Sequence, residues 1–287
     1  MHAILGLSAS HLSKLSPASY TTIAQDHRLK ASRGLNKALS APLKSPEEAD
    51  AIIATCHALL MQSWFMDDGL SAFLVLTRSS QLVPQQIRNQ KIEALLAKED
   101  LDSGVEFMKG HLSGTPLFNP AFVYDAVSSL NGLLPLCLEA YQQELQKCML
   151  ENFISLHSTS VEGLHALPTF FRYHTYVLIA YTAHANICKY VVAISHDDFN
   201  KLCDTSNTIC QFLIAHLVAL HIIMRPISCR ERKKHTVTMY RIRMTTWIDQ
   251  IYQATDRNSK KYVEWPRKIS ELNQLGLKPL DSYILSQ

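Results

Sequence analysis

Apolar side chains recur at three- and four-residue spacing along most of the chain, as they do on one face of an α-helix. The clearest case combines Ala49, Ile52, Ile53, Cys56, Leu59 and Leu60. Directly before it, Ser45 is a suitable N-cap, Pro46 suits the first helical position, and Glu48 completes a capping box. The pattern predicts a helix that begins after Ser45.

Similar signals predict the other helices. They cover a segment opened by Ser16-Pro17 that runs to about Leu39, residues 169–194 after Pro168, residues 199–224 behind a cap formed by Ser195 and Asp198, and the closing segments 241–254 and 261–275. Alternating apolar and polar runs, which would predict β-strands and hairpins, are nearly absent. We therefore predict an all-α fold.

One stretch of the chain, KGHLSGTPLFNP (109–120), contains two glycines and two prolines and has the composition of a loop. We predict that residues 1–287 form a single compact multi-helix domain, and that any subdivision lies within 109–120. No internal repeat or low-complexity segment is visible in the sequence.

Composition narrows the class of protein. Apolar residues make up 47% of the chain and charged residues 18%, which favours a folded, core-rich protein, and a net charge of +3 does not indicate nucleic-acid binding. The seven cysteines include no Cys-x-x-Cys pair, which favours buried thiols in a reducing compartment.

The apolar run 209–224 is shorter than a bilayer span of about 20 residues, so we predict a core helix in a soluble, intracellular protein. The N-terminal segment lacks the basic start of a signal peptide.

Two acidic pairs, Asp67-Asp68 and Asp197-Asp198, raise the question of a metal-dependent terpenoid enzyme. Neither pair is followed by the further ligands that a magnesium cluster needs, and acids at a helix N-terminus are stabilised by the free amides there. No His-Glu-x-x-His, phosphate-binding loop or Gly-x-Ser-x-Gly motif occurs. We predict helix-boundary aspartates, no metal, no cofactor and no enzyme activity.

Three segments of the N-terminal part, MHAILGLSASHL (1–12), HRLKASRGLNKALS (27–40) and EADAIIATCHALLMQSWFMDDGLSAFLVLTRSSQLV (48–83), stand in an order that resembles a known family. The chain is similar here to the regulatory domain of fungal binuclear zinc-cluster transcription factors, with the sterol uptake control proteins as the closest match. The six-cysteine zinc cluster itself is missing. The chain is therefore either a fragment or a natural protein without the DNA-binding half.

The resemblance implies an effector-sensing, often dimeric regulatory domain that binds a sterol or other lipid in an apolar helical pocket, acts in the nucleus with a cytoplasmic pool, and does not itself bind DNA. Two alternatives stay open. The chain could instead be an interaction partner of a full-length regulator, for example in secondary metabolism. It could also be an α-helical terpenoid or lipid enzyme, whose activity would depend on the acidic pairs.

For the lipid pocket we predict a set of aromatic, methionine and polar side chains: Gln62, Phe65, Met66, Phe73, Tyr176, Tyr181, Phe212 and His216. Trp64, Phe170, Phe171 and His57 are further candidates. The aromatic rings would enclose the ligand and the polar groups would orient a hydroxyl. The alternative is that each is an ordinary core residue.

The densest basic cluster of the sequence, around Arg230, Arg232, Lys233 and Lys234, is a candidate nuclear-localisation signal. Arg225, Arg241 and Arg243 lie nearby in the sequence. A solvated loop is the alternative interpretation.

Overall fold

The computed structural model of the protein is helical along almost all of its described length, which confirms the all-α prediction. It describes residues 1–16, 18–66, 70–97, 101–109, 111–112, 117–118, 120–158, 169–228, 237–274 and 284–285. The contacts between Cα atoms divide the chain into two compact units, residues 1–100 and 101–287. This division lies before the turn-rich stretch 109–120, and the single-domain assignment stays a prediction.

The described residues of unit 1 form four helices. They are α1 (His2–Leu15), α2 (Thr21–Leu39), α3 (Pro46–Ser63) and α4 (Leu70–Asn89). Helix α3 begins as predicted, because the Ser45 side chain accepts a hydrogen bond from the backbone N–H of Glu48. The Glu48 carboxylate accepts from the backbone N–H of Lys44 and so anchors the residue before the cap. The core is built from α2, α3 and α4 side chains such as Leu35, Ile53 and Ile87.

Unit 2 contains eight described helices. They are α5 (Leu101–Lys109), α6 (Pro120–Leu133), α7 (Ala140–Ser158), α8 (Thr169–Ala193), α9 (His196–Cys203), α10 (Thr208–Ser228), α11 (Val237–Ala254) and α12 (Glu264–Gln274). Two short 3-10 helices, Leu134–Leu136 and Lys260–Tyr262, and one antiparallel pair of two-residue strands, β1 (Leu117–Phe118) and β2 (Ile284–Leu285), complete it. Helix α10 is central, since it contacts α6, α7, α8, α9, α11 and α12.

The prediction of one helix over residues 199–224 is wrong, because α9 ends at Cys203 and α10 begins at Thr208. The break has a local cause. The Asp204 carboxylate accepts hydrogen bonds from the backbone N–H and the hydroxyl of Ser206, and the Asn207 side chain accepts from the backbone N–H of Cys210. These turn and capping bonds compete with the helical pattern. The cap predicted at Ser195 is confirmed, since its Oγ accepts from the N–H of Asp198.

Within the described residues, Thr208–Arg225 is the single helical stretch that is long and apolar enough to cross a membrane on its own. Helices α8 and α9 reach that length and hydropathy only when taken together, and they are bent by 108° at the break between them. The stretch is 78% buried inside the protein. Such burial is typical of the core helix of a globular unit, as predicted from the sequence.

Candidate functional site

Gln62 lies at the junction of α1, α2 and α3 and is fully buried. Its Nε2 donates one hydrogen bond to Ser10 Oγ and another to the backbone oxygen of Ala24, each at 3.1 Å. One amide group therefore joins three helices. Its Oε1 is buried and has no hydrogen-bond partner among the described residues.

Gly6 lets α1 approach this amide closely. A Cβ atom at position 6 would lie 3.0 Å from Gln62 Nε2 and 3.1 Å from Oε1. Both distances are at the limit of allowed contact, and the amide is held by its own bonds. A larger residue at position 6 would therefore need the side chain of Gln62 to shift, which favours glycine where α1 packs over it.

Three more predicted ligand-binding residues lie in the same unit. Phe65 is half-buried with its ring edge-on to His11, at 5.4 Å between centroids. Met66 is buried, and its Sδ lies 3.9 Å from the Arg28 guanidinium. Phe73 is half-buried on α4. Of the further candidates, Trp64 is half-buried and His57 is exposed to solvent. Asp67 and Asp68 lie outside the described residues.

An open groove of about 260 Å³ lies between α2, α3 and the first turn of α1. Its lining is mostly small or apolar: Met1, His2, Ala3, Lys30, Ala31, Gly34, Leu35, Ala38, Glu48, Ala51, Ile52 and Thr55. Pockets that enclose a drug-sized ligand measure roughly 300–1,000 Å³. The groove is therefore suited to part of an apolar molecule, and none of the predicted ligand-binding residues lines it.

Phe212 and His216 lie one helical turn apart in the core of unit 2 and are both buried. Burial lowers the pKa of His216 to about 4, so the ring is neutral at physiological pH. Its Nδ1 lies 2.8 Å from the Phe212 carbonyl oxygen and its Nε2 lies 2.8 Å from Ser129 Oγ. Because a carbonyl can only accept, Nδ1 carries the proton and Nε2 accepts from the Ser129 hydroxyl.

Each ring of this pair also stacks on an aromatic ring from another part of unit 2. His216 stacks on Trp265 and Phe212 stacks on Tyr262, with ring centroids 5.6 and 5.7 Å apart. Tyr181 is half-buried on α8. The side chains of Tyr176, Phe170 and Phe171 lie outside the described part of the chain.

Unit 2 also contains a histidine pair that the sequence did not reveal, with His184 buried and His221 half-buried. His221 Nδ1 lies 3.1 Å from His184 Nε2, with the two rings perpendicular. Burial lowers the pKa of both, to about 4 for His221 and well below the usual value for His184. His184 Nδ1 has no hydrogen-bond partner among the described residues. The two histidines are 37 positions apart, so no local pattern could have paired them.

Asp197 and Asp198 lie in the first turn of α9, where the predicted capping role is met: Asp198 accepts from the Ser195 hydroxyl and lies 3.6 Å from Lys201. Across the residues that the structure describes, no group of three or more His, Cys, Asp or Glu side chains is placed to hold a metal ion.

The described cysteine side chains are all buried or half-buried. The six described cysteines are all free, and Cys56, Cys137 and Cys210 are buried. Burial raises the pKa of Cys56 and of Cys137 to about 11, so both are protonated and unreactive at neutral pH.

The predicted nuclear-localisation residues Arg230, Arg232, Lys233 and Lys234 lie outside the described residues. Of the nearby arginines, Arg225 and Arg243 are buried in unit 2. These two therefore do not extend a solvent-exposed basic surface.

The groove corresponds to a pattern of small residues in the sequence of α2. Ala31, Gly34 and Ala38 recur at three- and four-residue spacing on α2, and small residues in such a row leave space between helices. Of the aromatic residues predicted for the pocket, Phe212 is buried, and Trp64, Phe65, Phe73 and Tyr181 are half-buried.

The described residues form an α-helical protein whose buried polar groups join its helices. Residues 1–95 match the family model of the fungal specific transcription factor domain. The match confirms, over the first third of the chain, the resemblance to a regulatory domain of fungal transcription factors. No curated protein and no solved structure matches the chain.

Proposed function

We propose that this chain is the effector-responsive regulatory domain of a fungal transcription regulator and carries out no catalytic step. The observation that carries the proposal is the match of residues 1–95 to the fungal specific transcription factor domain. Contact with DNA would be made by a separate module. The site of action would be the nucleus, with import directed by the basic segment around Arg230, Arg232, Lys233 and Lys234.

The effector we propose is a sterol or a similar lipid. Such a ligand would act by population shift, because it stabilises the helix packing to which it binds more tightly. The apolar groove of unit 1 supports a contact with part of an apolar molecule. The resemblance of the first ninety residues to sterol uptake control proteins favours a sterol over other lipids.

The regulator is also proposed to act as a dimer, either with a second copy of itself or with a related regulator. Regulation through association would let an effector change output without any chemical step.

Thermal unfolding with and without ergosterol, together with mass spectrometry of lipids carried through purification, tests the lipid proposal. Ligand at a hundredfold excess over the dissociation constant stabilises the folded state by about 2.7 kcal/mol, which raises the melting temperature by several degrees. A protein that carries no lipid and shows no shift would contradict a sterol effector.

Two alanines on the exposed side of α3 locate the ligand. Ala51 lines the groove, whereas Ala54 does not. If the lipid lies in the groove, Ala51→Trp fills the space and abolishes the shift while Ala54→Trp leaves it. A shift that survives both substitutions would place the ligand elsewhere, in agreement with the residues predicted from sequence.

A further inference from the structure

Helix α1 turns its small side chains inward and its large apolar ones outward. Ala3, Gly6, Ala9 and Ser10 are buried, whereas Leu12 is 46% exposed and Leu15 is 70% exposed. A surface helix normally buries its large apolar residues against the core. The small residues satisfy the packing of α1 onto α2 and α3, so the outward side chains are not needed for that packing.

The outward residues form a regular stripe, which we call the outer α1 face: Ile4, Leu5, Ser8, Leu12 and Leu15. Along it, Leu5, Ser8, Leu12 and Leu15 are separated by three, four and three positions. This alternation is the spacing of the contact seam between two packed helices. The one charged side chain of α1, Lys14, projects from another side of the helix.

We propose that the outer α1 face packs against the same face of a second copy of this chain. The inference rests on the dimer proposed above and names its surface. A two-fold interface must be self-complementary. The stripe is nearly symmetric about Ser8, with Leu5 three positions before it and Leu12 four positions after it. Two antiparallel α1 helices that cross at Ser8 would place Leu12 of each copy beside Ile4 of the other, with Leu5 one position further along.

Charge favours a second copy over a charged partner helix. The five residues of the outer α1 face carry no ionisable group, and the exposed His11 lies at its edge, so the face itself offers no complement to an acidic or basic segment. It can pair with itself without like-charge repulsion. An antiparallel pair also places opposite ends of the two helix dipoles side by side.

The size of the face sets the strength of the contact. A helix of 14 residues is about 21 Å long, and this one offers less than the ~800 Å² per partner of a standard stable interface. We therefore expect a weak dimer whose population rises with protein concentration.

Sedimentation of the 287-residue chain from about 1 to about 100 µM, the range suited to a small interface, tests the proposal. We expect the wild type to shift from monomer to dimer, and Leu12→Glu to weaken the dimer at least tenfold. Val75→Glu, at a similarly exposed apolar residue on α4, is the matched control and should dimerise like the wild type. Circular dichroism should show the same helix content and melting temperature for both variants.

Ser8→Cys adds a positional readout, because the two introduced thiols would lie together at the crossing point and form a disulfide under mild oxidation. Lys14→Cys, off the outer α1 face, should not. A wild type that stays monomeric throughout, or a dimer that Leu12→Glu leaves intact, would overturn the proposal. Either result leaves the ergosterol measurement unaffected, so failure of this surface is distinguishable from failure of the lipid proposal.

Discussion

At the scale of single residues, the role of a polar side chain depends more on its position in the fold than on its residue type. The sequence predicts that Gln62 and His216 are polar groups that orient a ligand hydroxyl. Each forms hydrogen bonds within the protein: Gln62 bonds to α1 and α2, and His216 bonds to Phe212 and Ser129. Their assignment to a ligand stays a prediction, whereas their part in holding helices together follows from the hydrogen bonds.

Gly6→Ala tests the close approach of α1 to Gln62. The added methyl group would press on both amide atoms, and moving the amide would break its bonds to Ser10 and Ala24. Overpacking of a buried site typically costs about 1–3 kcal/mol. We expect a loss of that size in the free energy of unfolding, measured by chemical denaturation.

The control is Gly34→Ala on α2, where no atom lies within 4 Å of the new Cβ. Alanine there should leave stability unchanged or raise it by up to about 1 kcal/mol, because glycine is unfavourable inside a helix. Equal losses for the two variants would show that helix α1 does not depend on its contact with Gln62.

At the scale of helices, the caps read from the sequence are the most dependable features. Ser45 and Ser195 both accept the bond predicted from their spacing to Glu48 and Asp198. A cap involves residues within one turn of each other, so its geometry is set by local chain alone.

Ser45→Ala removes the cap of α3 and should lower the free energy of unfolding by about 1 kcal/mol. Thr55→Ala, in the same helix, is its control: the Thr55 hydroxyl donates to the Ala51 carbonyl. That bond competes with the helix, and alanine has the higher helix propensity, so no loss is expected. Chemical denaturation of the two variants measures the effect of the cap on the free energy of unfolding. A Ser45→Ala protein as stable as the wild type would show that packing alone fixes the start of α3.

At the scale of the whole molecule, burial changes the chemistry of histidine. The pKa of His216 falls from an ordinary value near 6.5 to about 4 because its ring is buried, where it contacts Ser129 and Trp265. Between these two pH values the unfolded chain binds a proton that the folded protein does not. The free energy of unfolding therefore has its full value, as far as His216 is concerned, above pH 6.5, and it decreases as the pH falls toward 4.

We expect the free energy of unfolding to fall across this window, by about 3 kcal/mol for His216 alone if one pKa unit corresponds to ~1.4 kcal/mol. His184 and His221 should add to the slope, since their pKa values are lowered in the same direction. His216→Gln should flatten the pH profile at pH 4 to 6.5 relative to the wild type. Parallel profiles for the two proteins would mean that folding does not lower the pKa of the His216 ring.

The amino-acid sequence by itself determined the all-α fold, the starts of α3 and α9, the central apolar helix and the resemblance of the N-terminal segments to a transcription factor regulatory domain. Each of these depends on spacing within a few turns or on motif order. The sequence missed the break at Asp204, because two strong helical patterns flank a turn of only four residues.

Only the tertiary structure decided which side of α1 faces the core, how Gln62 joins three helices, and that His184 meets His221. Apolar spacing alone would direct Leu5, Leu12 and Leu15 inward. The close packing of Gly6 and Ala9 against the neighbouring helices turns that face outward instead. The reason is physical: contacts between residues distant in sequence depend on the shapes of all helices together, and a periodic pattern specifies only one helix at a time.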